Sequence, residues 1–138
     1  MRSYARYWLE AFQLPRIADD PNLDERLTAG LVGREYLQES IDAGNGVVLT
    51  LPHSGNWDMA GMWLAKHYGT FTTVAERLRP EKLFDAFVEY RESLGFEVLA
   101  LTGEKTPPYA RLKEVLQGGG IVCLMGERDL GRRGVPVT

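Results

Sequence analysis

The 138 residues carry 16 basic and 19 acidic side chains, a net charge of −3, and 44% apolar content. Such a balance supplies no field for nucleic acid, and the length suits one domain, since a chain near this size buries about two-thirds of its unfolded surface. A lone cysteine, Cys123, cannot build a disulfide framework or a cysteine zinc site, and its apolar setting in "IVCLM" reads as a buried small hydrophobe suited to a reducing compartment.

In chain order, Tyr4, Tyr7, Trp8, Ala11 and Phe12 recur at helical spacing opposite Arg2, Arg6, Glu10 and Gln13, which predicts an amphipathic helix from Ser3 to Leu14 ended by Pro15. A second helix opens near Pro21 behind Asp19 or Asp20 as cap, and a third runs from about Arg34 to Ala43, stopped by "GNG". "VVLTL" (Val47 to Leu51) is a short β-branched run between turn signals and reads as a strand buried on both faces. The helix from about Asn56 to His67 is apolar nearly all round, which places it against the core. "TFTTVA" (Thr70 to Ala75), "FEVLAL" (Phe96 to Leu101) and "IVCLM" (Ile121 to Met125) are further strands. Between them run a helix begun by Pro80, with the stripe Leu83, Phe84, Phe87, Val88 and Leu94, and one carrying Tyr109, Leu112, Val115 and Leu116. Alternation of strand and helix predicts an α/β fold with a mostly parallel central sheet flanked by helices. "VPVT" (Val135 to Thr138) reads as the start of another strand, so the sheet is expected to be incomplete and the chain part of a longer protein. No apolar run reaches the roughly 18 residues of a spanning helix, which leaves peripheral attachment open.

The chemistry gathers at strand ends. In a parallel sheet, ligands bind beyond the carboxyl ends of the strands, where loops carry reactive groups on a rigid support. "LPHSGNWD" puts His53 at such an end and Asp58 at the start of the next helix. A chain that folds back there lets the carboxylate fix one imidazole nitrogen and leaves the other as a general base. The alternative is a loop histidine beside an aspartate that favours the helix N-terminus, and spacing alone leaves both open. Glu127 follows the fourth strand with Arg128, Asp129, Arg132 and Arg133 behind it, and Arg77 and Arg79 follow the second. If strands one and four are neighbours, Glu127 can reach His53. That convergence of a histidine, acids and guanidinium groups on one rim favours a reactive site over solvated loop charges. A metal site from His53, Asp58 and His67 lacks a fourth ligand. Ser54 lacks the G-x-S-x-G elbow of a serine hydrolase, and "GGG" (Gly118 to Gly120) lacks the Lys and Ser or Thr of a phosphate loop.

"PHSGNWD" resembles the H-x4-D motif of glycerolipid-type acyltransferases, in particular the bacterial branch that holds the lipid A lauroyl and phosphatidylinositol mannoside acyltransferases. "VAERLRPEKLFDAFVEYRESLGFEVLAL" and "GGGIVCLMGERDLGRRGVPVT" resemble the same branch, and "RSYARYWLEAFQLP" with "ERDL" leans towards the mannoside enzymes. The resemblance implies one acyltransferase domain fragment over 1–138, with a helical start (1–45) and an α/β catalytic part (46–138). It implies transfer of an acyl group from acyl-CoA, as co-substrate, to a hydroxyl of a phospholipid or glycolipid acceptor, with no further cofactor and no metal. In that reading His53 removes the acceptor's proton, Asp58 orients the imidazole or supports the site, Glu127 positions His53, and Arg77, Arg79 and Arg128 meet phosphates. The implied location is peripheral, on the cytoplasmic face of the plasma membrane, where Tyr4, Tyr7, Trp8 and Phe12 of the first helix can sit among headgroups. Trp57, Met59, Met62 and Trp63 either line an acyl-chain channel or, as favoured here, only pack. The Gly-x-x-Phe-x-x-Arg stretch of glycerophosphate acyltransferases is not found. A non-catalytic lipid- or phosphate-binding fragment, a lipid A-type acyltransferase and a hydrolase are the alternatives.

Overall fold

In the computed structural model, residues 2–104 and 107–126 are described, the side chains of residues 2–4 excepted. Three helices, α1 (Arg2–Ile17), α2 (Pro21–Ala29) and α3 (Arg34–Asp42), precede β1 (Val47–Leu51). Strand and helix then alternate through α4 (Trp57–Tyr68), β2 (Phe71–Ala75), α5 (Glu81–Ser93), β3 (Phe96–Ala100), α6 (Pro108–Gln117) and β4 (Ile121–Met125). The strands form one sheet in the order β1-β4-β2-β3, and every pairing is parallel. This is the expected α/β architecture.

The order places β4, the last strand in sequence, between β1 and β2. The crossovers β1-α4-β2 and β2-α5-β3 run in one direction and β3-α6-β4 runs back, so the right-handed rule puts α4 and α5 on one face and α6 on the other. Side chains agree. On one face the core joins Phe71, Phe96, Ile121 and Cys123 of the sheet to Met62, Trp63 and Leu64 of α4 and to Leu14 of α1. On the other face Thr72 Oγ1 donates to Glu97 Oε2 at 2.5 Å, and Arg111 Nε of α6 donates to Glu97 Oε1 at 2.8 Å. That arginine, with help from Thr72, holds the Glu97 carboxyl below the usual carboxylate range.

Three sequence-based expectations need correction. The first concerns β1, which alternates between half-buried Val47, Leu49 and Leu51 and exposed Val48 and Thr50, so it is covered on one face among the described residues. Its continuous apolar run resembled an inner strand, but β1 pairs on one side with β4, and α6 packs over β4 and β2 instead. The inner strand β4 does have both faces buried at Ile121, Val122 and Cys123.

The second is Pro15, which does not end α1; the helix continues to Ile17. Proline removes the N–H that would bond the carbonyl four residues back, here that of Ala11. The Tyr90 hydroxyl of α5 donates to that same oxygen at 3.0 Å, which satisfies the group and ties α1 to α5. Tyr90→Phe is therefore expected to cost about 1–3 kcal/mol, the range for leaving a buried carbonyl unpaired; chemical denaturation of the full-length protein checks it, and no change would mean that water replaces the hydroxyl.

The third is the face that α1 buries. Ala11 and Leu14 are 4% and 0% exposed, whereas Leu9 and Phe12 are 59% and 76% exposed. The helix turns Tyr7, Ala11 and Leu14 inward and shows Leu9 and Phe12 outward, and in that rotation the Tyr7 hydroxyl donates to Asp58 and the Ala11 carbonyl accepts from Tyr90.

Candidate functional site

The parallel sheet carries the ends of β1, β2 and β4 to one edge. Leu51 pairs with Met125, and the Gly126 N–H donates to the Leu51 carbonyl at 3.0 Å. Strands one and four are thus neighbours, as the reading of Glu127 required. His53 stands two residues beyond Leu51, on an exposed turn closed by the Ser54 N–H to the Pro52 carbonyl at 2.8 Å. Gly55 then takes a positive φ of 70°, which glycine adopts at no steric cost, and the chain enters α4. Asn56 caps that helix: its Oδ1 accepts from the Met59 N–H at 3.0 Å while its Nδ2 donates to Glu10 Oε2 of α1 at 2.8 Å. The His53 ring meets the Trp57 ring edge-on at 6.5 Å between centroids. Glu127 and Arg128, with Asp129, Arg132 and Arg133, lie outside the described residues.

Asp58 is at the first turn of α4 and is 1% exposed. Its Oδ2 accepts from the Tyr7 hydroxyl of α1 at 2.5 Å, and its Oδ1 accepts from Arg91 Nε of α5 at 3.0 Å. A buried carboxylate thus fastens three helices at one point. The guanidinium of Arg91 lies between the rings of Trp57 and Phe87, 3.9 and 4.0 Å from their centroids, and Trp57 also stacks on Tyr7 at 5.9 Å. A flat, weakly hydrated cation between two aromatic faces recovers part of its lost solvation from the ring quadrupoles. Burial lowers the Arg91 pKa and the Asp58 charge opposes that, while burial and the Asp58 bond push the Tyr7 hydroxyl up.

Tyr7, Arg91 and Phe87 were not among the expected site residues. A signal for Arg91 was present: it falls seven residues after Phe84 and four after Phe87, on the apolar stripe of its helix, where a charge needs a buried partner.

Arg77 and Arg79 follow β2 on the same edge. Arg77 forms a two-nitrogen ion pair with Glu81, with Nε to Oε1 at 3.0 Å, and its Nη1 reaches Glu104 Oε1 at 3.5 Å. The Glu81 bond raises the arginine's pKa and lowers the carboxyl's. Arg77 is therefore already engaged by carboxylates, whereas Arg79 is exposed. His67, once weighed as a metal ligand, instead meets Asp24 Oδ1 through Nε2 at 3.0 Å, and its ring stacks on Trp63. No group of three or more His, Cys, Asp or Glu suited to a metal occurs among the described residues.

Behind the His53 turn an apolar cavity of about 250 Å³ opens between the sheet and the helices. Its floor is one face of the sheet: Leu49 and Leu51 of β1, Cys123 and Met125 of β4, Phe71 and Thr73 of β2, and Phe96 of β3. Trp57, Gly61 and Trp63 of α4 and the segment from Leu31 to Leu37 form the opposite wall. Of the four residues weighed as channel lining, Trp57 and Trp63 border the cavity, and Met62 belongs to the packed core. Burial pushes the Cys123 thiol up to about 12, so it stays protonated and apolar in that wall.

The site's likeness to known proteins covers the whole chain. The model of the family described as bacterial lipid A biosynthesis acyltransferase matches residues 1–138. The chain is 58% identical over 137 residues to phosphatidylinositol mannoside acyltransferase of Mycolicibacterium smegmatis, covering 99% of this chain and 44% of that protein. It is 56% identical over 137 residues to the phosphatidylinositol mannoside acyltransferase of Mycobacterium tuberculosis, covering 99% of this chain and 43% of that one. The chain thus spans less than half the length of these curated relatives. With a parallel α/β sheet, an H-x4-D turn at its carboxyl edge and a match over every residue, the chain belongs to the bacterial lipid A biosynthesis acyltransferase family.

Proposed function

We propose that the protein to which this chain belongs moves a fatty acyl group from acyl-CoA to a hydroxyl of a membrane glycolipid, with phosphatidylinositol mannoside as acceptor. The observation that carries the reading is the position of His53 on the carboxyl edge, one turn before Trp57, which borders an apolar cavity of about 250 Å³. The names of the relatives supply the acceptor. An exposed imidazole there takes the proton of the acceptor hydroxyl; the oxygen attacks the thioester carbonyl, the new C–O bond forms as the C–S bond breaks, and the thiol of CoA leaves with a proton. Base assistance of this kind is worth typically about 10²–10⁴-fold.

Asp58 supports the turn by fixing the start of α4, and Glu127 and Arg128, which follow β4 in sequence, serve as positioning and phosphate-contacting groups. Arg79 meets phosphates of donor or acceptor directly, and Arg77 does so on exchanging Glu81 for them. The protein works at the cytoplasmic face of the plasma membrane as a peripheral enzyme. Exposed Leu9 and Phe12 on α1, flanked by exposed Arg6 and Arg16, support that placement, because aromatic and apolar groups enter the headgroup region while arginines face anionic lipid. No helix among the described residues is long and apolar enough to cross a membrane.

The test offers the full-length protein radiolabelled acyl-CoA with phosphatidylinositol mannoside, with glycerol phosphate, or with water alone. Label in the glycolipid is expected. Free fatty acid as the sole product would make the protein a hydrolase, and binding of acyl-CoA without turnover would make it a carrier.

A further inference from the structure

Resting on the reading of His53 as the base, we infer that Glu10 of α1 is a positioning residue for it: Glu10 holds the Asn56 amide, and with it one end of the turn that carries the imidazole. The turn is short and pinned at both ends. At one end the Gly126 N–H donates to the Leu51 carbonyl at 3.0 Å, and at the other Asn56 opens α4. Pro52, His53, Ser54 and Gly55 between them are exposed, so burial does not set where they stand. The place of the imidazole therefore depends on how firmly the two ends are held.

Asn56 is held in one orientation by the chemistry of its partners. An amide offers both an acceptor and donors, whereas a carboxylate only accepts and a backbone N–H only donates. Glu10 Oε2 accepts from Asn56 Nδ2 at 2.8 Å, which turns Oδ1 to the Met59 N–H, 3.0 Å away. Reversing the amide would break both bonds at once. Both are partly shielded from solvent, and the one to the carboxylate belongs to the stronger, charge-assisted class.

The face that α1 turns to this region is matched to it. Tyr7 and Glu10 are three residues apart and so lie on one side of the helix. That side meets three consecutive residues: the Glu10 carboxylate takes Asn56, the Tyr7 ring stacks on Trp57 with centroids 5.9 Å apart, and the Tyr7 hydroxyl donates to Asp58. Trp57 and Asp58 lie within α4 and fasten the helix, whereas Asn56 is the joint between helix and turn. Glu10 thus acts on the joint nearest His53, and misplacing a reacting group by about 1 Å costs about 10²-fold in rate.

The experiment uses the full-length protein with acyl-CoA and phosphatidylinositol mannoside, reading kcat with both substrates saturating and KM for each, and thermal unfolding of every variant accompanies the kinetics. Glu10→Ala is expected to lose about 10–10²-fold in kcat with each KM changed by less than about threefold. Asn56→Asp keeps a good helix cap but sets a carboxylate against Glu10, and Glu10→Lys sets a cation against the amide donors; each is expected to lose kcat in the same way. Combining Glu10→Lys with Asn56→Asp rebuilds the contact with its polarity reversed, the new carboxylate accepting from both the new ammonium and the Met59 N–H. There kcat is expected to return to within about fivefold of the unaltered protein. A double variant as slow as either single one, or a loss confined to KM for the glycolipid, would make Glu10 a structural or surface residue and overturn the inference. His53→Ala serves as the control. If it still turns over, the base reading falls; if it is inactive while Glu10→Ala keeps its kcat, only the inference falls.

Discussion

Asp58→Ala is expected to destabilise the full-length protein by about 3–5 kcal/mol, the cost of removing one partner from a buried ion pair. The cost arises from what the substitution leaves behind. Arg91, whose side chain is 4% exposed, keeps its charge without a carboxylate, and its Nη2 already has no hydrogen-bond partner. The Tyr7 hydroxyl loses its acceptor at the same time, and with it α1 loses the bond that sets its rotation over α4. Urea denaturation gives the number; a loss below about 1 kcal/mol would mean that solvent reaches the Arg91 cation, which would make the pair a surface one.

A companion variant separates packing from chemistry. Tyr7→Phe, Asp58→Leu and Arg91→Met together remove the polar groups as a set, and such replacements are often neutral or stabilising when volume is kept. Stability is expected to recover. If acyl transfer recovers as well, Asp58 acts through architecture alone; if transfer stays lost in a stable protein, its carboxylate serves the imidazole as the motif implies.

His53→Ala is expected to behave in the opposite way, losing about 10²–10⁴-fold in acyl transfer with stability changed by less than about 0.5 kcal/mol. The side chain stands on an exposed turn, so truncation opens no core cavity, and the turn itself is held by backbone bonds and the Asn56 cap. His53→Gln keeps a hydrogen-bonding side chain of similar reach without a titrating nitrogen and is expected to be as inactive as alanine. Transfer that survives in both variants would remove His53 from the base role. The two members of the H-x4-D pair thus stand in different environments, one exposed at the sheet edge and the other sealed among three helices.

Those contrasting environments mark the boundary of what one-dimensional pattern conveys. The four strands were legible because each is a five-residue stretch rich in apolar and β-branched residues that begins within two residues of a glycine, and local chemistry of that kind acts over a few residues. The caps were legible for the same reason: Asp20 accepts from the Asn22 N–H at 2.9 Å where the pattern placed a helix start. The rotation of α1 was not. Two overlapping stripes, Tyr4-Tyr7-Trp8-Ala11-Phe12 and Tyr7-Ala11-Leu14, are both apolar, and hydrophobicity does not say which will meet the core. Nor was the fate of Pro15, since the oxygen it orphans is satisfied by Tyr90, 79 residues away in sequence.

By itself, then, the sequence determined the order and type of the elements, the parallel sheet, and the placing of His53 at a strand's carboxyl end, because these follow from local propensity and the handedness of crossovers. Tertiary structure alone decided that β4 lies beside β1, that Arg91 enters the core to meet Asp58, and that one face of the sheet stands far enough from α3 and α4 to leave a cavity. Each of these depends on which distant side chains share a small volume, and the energies that select among such arrangements are differences between packings, not properties of any single residue.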